Sequence, residues 1–216
     1  MRIIAGSKRG LKLFSPKGEV SRPIIDRVKK SVFDVLYNYD LPAQAIVADL
    51  FSGVGSLGLE ALSRGARFVT FVERDAQVEA VLRRNIEKGG FVGQSKVVRA
   101  DAFRVGAPVP STVRLRSPQA SFGVAHHRSL GTGDSKGRRY DLVFVDPPYD
   151  ATRDVGEKSQ LARLMDILTG QVADDGVVVV RTKRGTDLLD GYGRFEVFQR
   201  RTWGSMNVTM LRRKTG

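Results

Sequence analysis

Two stretches of this 216-residue chain carry residue types that chemistry needs, at spacings that chemistry uses. The first runs Asp49-Leu50-Phe51-Ser52-Gly53-Val54-Gly55-Ser56-Leu57-Gly58 and contains a G-x-G-x-x-G between an apolar run and a helical pattern. Glycines let a backbone turn sharply and come close to a ligand. Glu73 follows Gly53 by 20 residues, at the end of the next apolar run, where a carboxylate can accept from ribose hydroxyls. The second stretch is Leu142-Val143-Phe144-Val145-Asp146-Pro147-Pro148-Tyr149. Neither proline has an amide hydrogen to donate, so the strand must stop at Asp146. The residue before a proline is held extended, which fixes the Asp146 carboxylate and the Pro147 carbonyl in a stiff geometry.

Taken alone, the glycine fingerprint fits NAD or S-adenosylmethionine, since both present an adenosine ribose. The acids separate the two. Asp49, Glu73, Asp101 and Asp146 each fall at the end of an apolar run, and in an open parallel sheet the ligand crevice lies outside those ends. Convergent carboxylates disfavour a pyrophosphate and suit a sulfonium and an ammonium, with the adenine amine donating to Asp101. The only histidines, His126 and His127, lie together in an irregular stretch, away from any place for a hydride-transfer acid. S-adenosylmethionine is therefore the expected cofactor. With no cysteine and so few histidines, no metal centre is expected.

The elements that must position these groups are legible as alternation. Short β-branched and aromatic runs at 46–51, 67–73, 96–103, 140–146 and 176–182 predict strands. Between them, the patterns over 56–65, 75–90 and 157–170 read as helices ending at Gly65, Gly89 and Gly170, each a glycine suited to a left-handed C-terminal position. Such alternation implies a mostly parallel sheet covered by helices on both faces, an α/β Rossmann-like architecture. The tail, 194–213, reads as two strands joined near Trp203 and Gly204, a C-terminal antiparallel hairpin. Before the sheet, Ile25, Val28, Val32, Leu36 and Tyr39 recur at helical spacing, with Ser21 as cap and Pro23 in the first turn. Residues 104–139 show no period, are rich in Gly, Pro, Ser and Arg, and predict a disordered insertion. The organisation expected is a basic N-terminal arm and helix over 1–40 and a ligand-binding domain over 41–216.

Composition bounds the partners. A net charge of +13 favours a polyanion, and the charge is uneven. Residues 1–30 hold nine Lys or Arg against Glu19 and Asp26, and 200–216 hold five with no acid. Arg22 and Arg27 are candidates for nucleic-acid phosphate contacts, with helix-surface ion pairs as the alternative. No apolar run is long enough for a membrane span or a signal peptide, so a cytoplasmic location is expected, and a monomer is the expected state.

Together, "RPIIDRVKKSVFDVL", "DLFSGVGSLGLEALSRGA", "VERD", "ADAF", "FVDPPY" and "WGSMNVTMLRR" resemble the bacterial RsmD family, which makes N2-methylguanine in 16S rRNA. The match covers most of the chain, in order. The resemblance implies an S-adenosylmethionine-dependent Rossmann-like enzyme acting on guanine 966 in the usual rRNA numbering, during or after small-subunit assembly. The implied partner is 16S rRNA or the small ribosomal subunit. It also implies a cofactor site of Asp49, Phe51, Gly53, Gly55, Gly58, Glu73, Arg74, Asp101 and Ala102. Asp146, Pro147, Pro148 and Tyr149 would be the catalytic group, and Arg9, Arg22, Arg27 and Lys30 would contact RNA. Two places depart from the family pattern: the 104–139 insertion, and Ile24-Ile25 where threonine is common. An exocyclic amine is a weak nucleophile, so Asp146 and the Pro147 carbonyl would accept its hydrogen bonds while Tyr149 stacks on the base. The closest rival is methylation of another base amine, such as adenine N6 in DNA or a different rRNA guanine.

Overall fold

The computed structural model describes residues 1–16, 25–108 and 139–214. Ser21, Arg22, Pro23, His126, His127 and the body of the expected insertion lie outside the described residues. The helix after the arm is α1, Asp26–Tyr37, followed by β1 (Ile46–Leu50), α2 (Ser56–Ser63), β2 (Phe68–Glu73), α3 (Ala76–Gly89) and β3 (Ser95–Arg99). A short α4 (Ala102–Val105) precedes β4 (Tyr140–Val145), α5 (Gln160–Thr169) and β5 (Val172–Lys183). The chain then makes β6 (Gly191–Tyr192), β7 (Phe195–Trp203) and β8 (Met206–Arg213).

One eight-stranded sheet has the order β3-β2-β1-β4-β5-β8-β7-β6. The first five strands are parallel, and the tail hairpin continues the sheet antiparallel, β8 lying directly on β5. This is the predicted architecture, and it follows from the strand sequences. Along β4, Leu142 and Phe144 enter one buried cluster with α1, α2 and α3, while Val143 and Val145 enter another with α5. Strands buried on both faces have no solvent side to mark with polar residues, which is why they read as continuous apolar runs. Among the described residues, no helix is long and apolar enough to cross a membrane.

Several boundaries moved. The third strand ends at Arg99, and Asp101 instead caps α4, accepting from the Phe103 amide at 3.0 Å. Gly90, at φ 73°, is the left-handed stop of α3, whereas Gly170 stays right-handed at φ −83°. Ile25 and Tyr39 fall outside the buried face of α1 and are exposed; Lys29 and Phe33 occupy that face with Val28, Val32 and Leu36.

The basic arm is built into the core. Residues 1–13 fold back on themselves, with Arg2 opposite Lys12 and the Ile3 amide donating to the Leu11 carbonyl at 2.9 Å. Ile3 and Leu13 are buried in the same cluster as α1 and α2. Glu60 on α2, wholly buried, accepts from the Ile4 and Ala5 amides at 2.8 and 3.0 Å and faces the buried Lys29 ammonium at 3.3 Å.

The stems of the 104–139 segment are tied down. The Gln171 side chain accepts from the Ala107 amide at 2.7 Å and donates to the Val105 carbonyl at 3.0 Å. The Tyr140 hydroxyl donates to the Pro108 carbonyl at 2.8 Å and also meets Thr70 Oγ1.

Candidate active site

The parallel strands β2, β1 and β4 end side by side, and beyond their carboxyl ends lies a crevice of about 700 Å³. Its floor is the glycine turn. Phe51 adopts φ 58°, a left-handed conformation uncommon for a residue with a side chain, and packs against Phe103 with the ring centroids 4.7 Å apart and the planes tilted by 57°. Gly53 follows at φ 54° and Gly55 at φ 87° caps α2. Glu73 closes the turn: Oε2 accepts from the Gly53 amide at 2.9 Å, while Oε1 accepts from the Arg74 and Asp75 amides at 2.8 and 2.9 Å. A carboxylate has about four lone-pair sites, so capacity remains for a ribose hydroxyl. A Cβ on Gly53 would meet nothing within 4 Å, which leaves open space above the loop for a close ligand.

Of the proposed cofactor residues, Phe51, Gly53, Glu73, Arg74 and Ala102 line the crevice. With Val72, Val78 and Ala100 lining the crevice alongside Glu73, the wall is apolar next to a hydroxyl acceptor, a lining that fits an adenosine. Asp49, Gly55, Gly58 and Asp101 do not line it. Asp49 is buried beneath the loop, with Oδ2 accepting from the Gly58 amide at 2.8 Å. Gly58 lets α2 approach β2, since a Cβ there would lie 2.3 Å from the Phe71 ring. Of the four acids expected to converge, Glu73 and Asp146 line the crevice, while Asp101 caps α4 and Asp49 serves as a backbone acceptor.

The two roles of the glycines can be separated. Gly58→Ala is expected to cost about 1–3 kcal/mol of stability through overpacking against Phe71. Gly53→Ala is expected to fold, with backbone strain of about 1 kcal/mol, and to lose cofactor affinity instead. Urea unfolding and calorimetric titration of both variants check this; cofactor affinity kept in Gly53→Ala, or lost equally in both variants, would refute the separation.

Burial pushes the Asp49 carboxyl well above its ordinary range, the Gly58 amide opposes this, and the Asp146 and Glu73 charges add to it. The folded chain therefore holds a proton that the unfolded chain has released above about pH 4. The stability so contributed is complete below that point and is lost as pH rises through the raised value. Asp49→Asn keeps an acceptor for Gly58 and cannot ionise. Unfolding midpoints followed from pH 4 to 8 should fall in the wild type relative to this variant, and parallel curves would contradict the assignment.

At the other end of the crevice stand Asp146, Pro147, Pro148 and Tyr149, all of them lining it. Asp146 immediately follows β4, its amide donating to the Leu50 carbonyl at 3.3 Å. Pro147 is buried, Pro148 exposed, and Tyr149 half-buried at the start of a 3-10 turn over Tyr149–Thr152. Among the described residues no donor reaches the Pro147 carbonyl or Asp146 Oδ2. Oδ1 is taken by Arg181, whose Nε donates to it from β5. Burial raises the Asp146 pKa and Arg181 opposes the rise. Sequence reasoning missed Arg181, which stands in "VVVVRT" like any charge at a strand end. Only the register, with Val180 opposite Val145, places it beside Asp146.

Of the proposed RNA contacts, Arg9, Arg27 and Lys30 do not line the crevice, and Arg22 lies outside the described residues. Arg9 is exposed in the turn of the arm and Arg27 is exposed on α1, while Lys30 pairs with Asp34 at 2.7 Å. Arg84 and Lys88 of α3 add positive charge over the Phe14 ring, at 4.6 and 4.2 Å from its centroid.

A parallel sheet with a strand-end glycine turn, an acid on the second strand and an Asp-Pro-Pro-Tyr on the fourth has the Rossmann-like methyltransferase fold. The family model described as "Conserved hypothetical protein 95" matches residues 1–212, and the chain belongs to that family. It is similar to ribosomal RNA small subunit methyltransferase D of Escherichia coli K12, with 30% identity over 185 residues, 85% of this chain and 75% of the relative. Among solved structures it is similar to Escherichia coli yhhF, at 27% identity and TM-score 0.72, over 99% of this chain and 98% of that one. It also shares its fold with an RNA methyltransferase from Salinibacter ruber solved with S-adenosyl-L-homocysteine, at 16% identity and TM-score 0.54, over 87% and 91% of the chains.

Proposed function

We propose that this protein is an S-adenosylmethionine-dependent methyltransferase of the exocyclic N2 amine of a guanine in 16S rRNA, acting in the cytoplasm on the small ribosomal subunit. The observation that carries the reading is the single crevice that holds both the Glu73-braced glycine turn and the free acceptors of Asp146 and Pro147. The similarity to small subunit methyltransferase D supports the substrate class.

S-adenosylmethionine, when bound, supplies an electrophilic methyl group carried on a sulfonium. Glu73 and the Gly53 backbone orient the ribose end of this donor. Asp146 Oδ2 and the Pro147 carbonyl accept from the target amine and turn its lone pair toward the methyl group, an alignment that replaces an unfavourable encounter by a held geometry. As positive charge develops on nitrogen, the carboxylate, itself largely withdrawn from water, stabilises it. Tyr149, half-buried beside the acceptors, offers a ring face for the unstacked base. Arg9 and Arg27, both exposed, supply phosphate contacts outside the crevice.

The deciding experiment is methyl transfer from labelled S-adenosylmethionine to small subunits that lack the modification, with the product nucleoside mapped. N2-methylguanine at a single 16S position is the expected product. Label in another base of the subunit, or in no 16S guanine, would overturn the target.

A further inference from the structure

We propose that Arg181 is a positioning residue for this reaction: it clamps one oxygen of Asp146 so that the other is presented to the target amine. The inference rests on the amino-methyltransferase reading above and adds to it a residue outside the Asp-Pro-Pro-Tyr stretch.

Arg181 follows four valines on β5, Val177 to Val180, all buried. A strand there needs only another apolar residue, and a guanidinium is among the costliest substitutes. Its side chain is 13% exposed and that of Asp146 is 16% exposed, so the pair is largely withdrawn from water. Taking both ions out of water generally costs more than their attraction returns, and a well-packed apolar pair would hold the sheet as well or better. The fold does not require this pair.

The geometry shows what the pair does. Nε meets Oδ1 alone, which stops rotation of the carboxylate and leaves Oδ2 without a donor at the crevice wall. Arg181 lines that wall too. Its Nη1 is buried with no partner, at a cost in free energy. Departures of this kind from local economy gather at functional sites. The second consequence is protonation. Burial alone would favour the neutral acid, which donates rather than accepts and cannot stabilise a developing cation, whereas Arg181 opposes that shift.

The test uses the full-length protein with Arg181→Met and Arg181→Lys. Carbon-13 labelling of aspartate carboxyls, read by NMR against pH without cofactor or RNA, is expected to show the Asp146 midpoint higher in Arg181→Met and largely restored in Arg181→Lys. Steady-state kinetics should show kcat near neutrality down roughly 10²-fold in Arg181→Met. The acidic limb of its pH profile should move upward, while the KM for S-adenosylmethionine changes by less than about threefold. Arg181→Lys should recover most of the limb shift, a recovery that loss of packing would not produce.

An unchanged Asp146 midpoint in Arg181→Met, or a shifted midpoint with kcat and pH profile equal to wild type, would overturn the proposal. Wild-type enzyme that methylates some other nucleic acid would instead overturn the rRNA target. The NMR comparison would stand in that case, and the kinetics would be run on the substrate found.

Discussion

Asp146→Ala is expected to lower kcat by about 10²- to 10³-fold, the size seen when one charge-stabilising group is removed from an enclosed site. Cofactor affinity should change little, because Glu73 and Gly53 stand at the other end of the crevice. The variant carries a second defect that must be separated from the first. Arg181 is left largely buried without its partner, and breaking such a pair costs about 3–5 kcal/mol when one charge remains. The double variant Asp146→Ala with Arg181→Met removes the stranded charge. It is expected to regain most of the stability measured by urea unfolding and none of the activity. Activity returning with stability would mean that Asp146 serves the fold alone.

The second large effect lies away from the crevice. Glu60→Ala is expected to destabilise the protein by about 3–5 kcal/mol, which lowers Tm by about 10 °C for a chain of this size. Glu60 is wholly buried and holds four donors: the Ile4 and Ala5 amides, Arg64 Nε at 2.8 Å, and the Lys29 ammonium. Without it Lys29 remains buried, with the Arg2 carbonyl at 2.6 Å and Ser56 Oγ at 3.4 Å as its remaining partners. Lys29→Met should cost less, since Glu60 keeps Arg64 and both amides. Thermal denaturation by circular dichroism decides the order, and a Glu60→Ala loss below about 1 kcal/mol would contradict the role given to this carboxylate.

The sheet was legible because buried parallel strands cannot hide their apolar runs, and the tail hairpin because Gly204, at φ 55°, sits between two strand patterns with no helix between them. The glycine turn, Glu73 and Asp146 were legible for the same reason: each is fixed by its position at a strand end. What was not legible depended on neighbours distant in sequence. Lys29 reads as one more charge of a basic arm, yet it falls four residues before Phe33 and seven before Leu36, on the apolar stripe of α1. Its burial is settled by Glu60, on another helix. Asp49 looked like a crevice acid, but the tight approach of α2 at Gly58 makes it a backbone acceptor under the loop. Arg181 meets Asp146 only because β5 lies next to β4, and strand order is not written in either strand.

The tethered stems beside β4 have a consequence for how such a chain can change its length. Pro108 is held by Tyr140, and Ala107 by Gln171 at the foot of β5. β4 itself is registered on both sides, by β1 and by β5. The position of Asp146 is therefore set by the sheet and not by the number of residues spliced between the stems. That junction is an address where sequence can be added or removed by evolution, or by design, while the crevice on the far end of the same strand keeps its geometry.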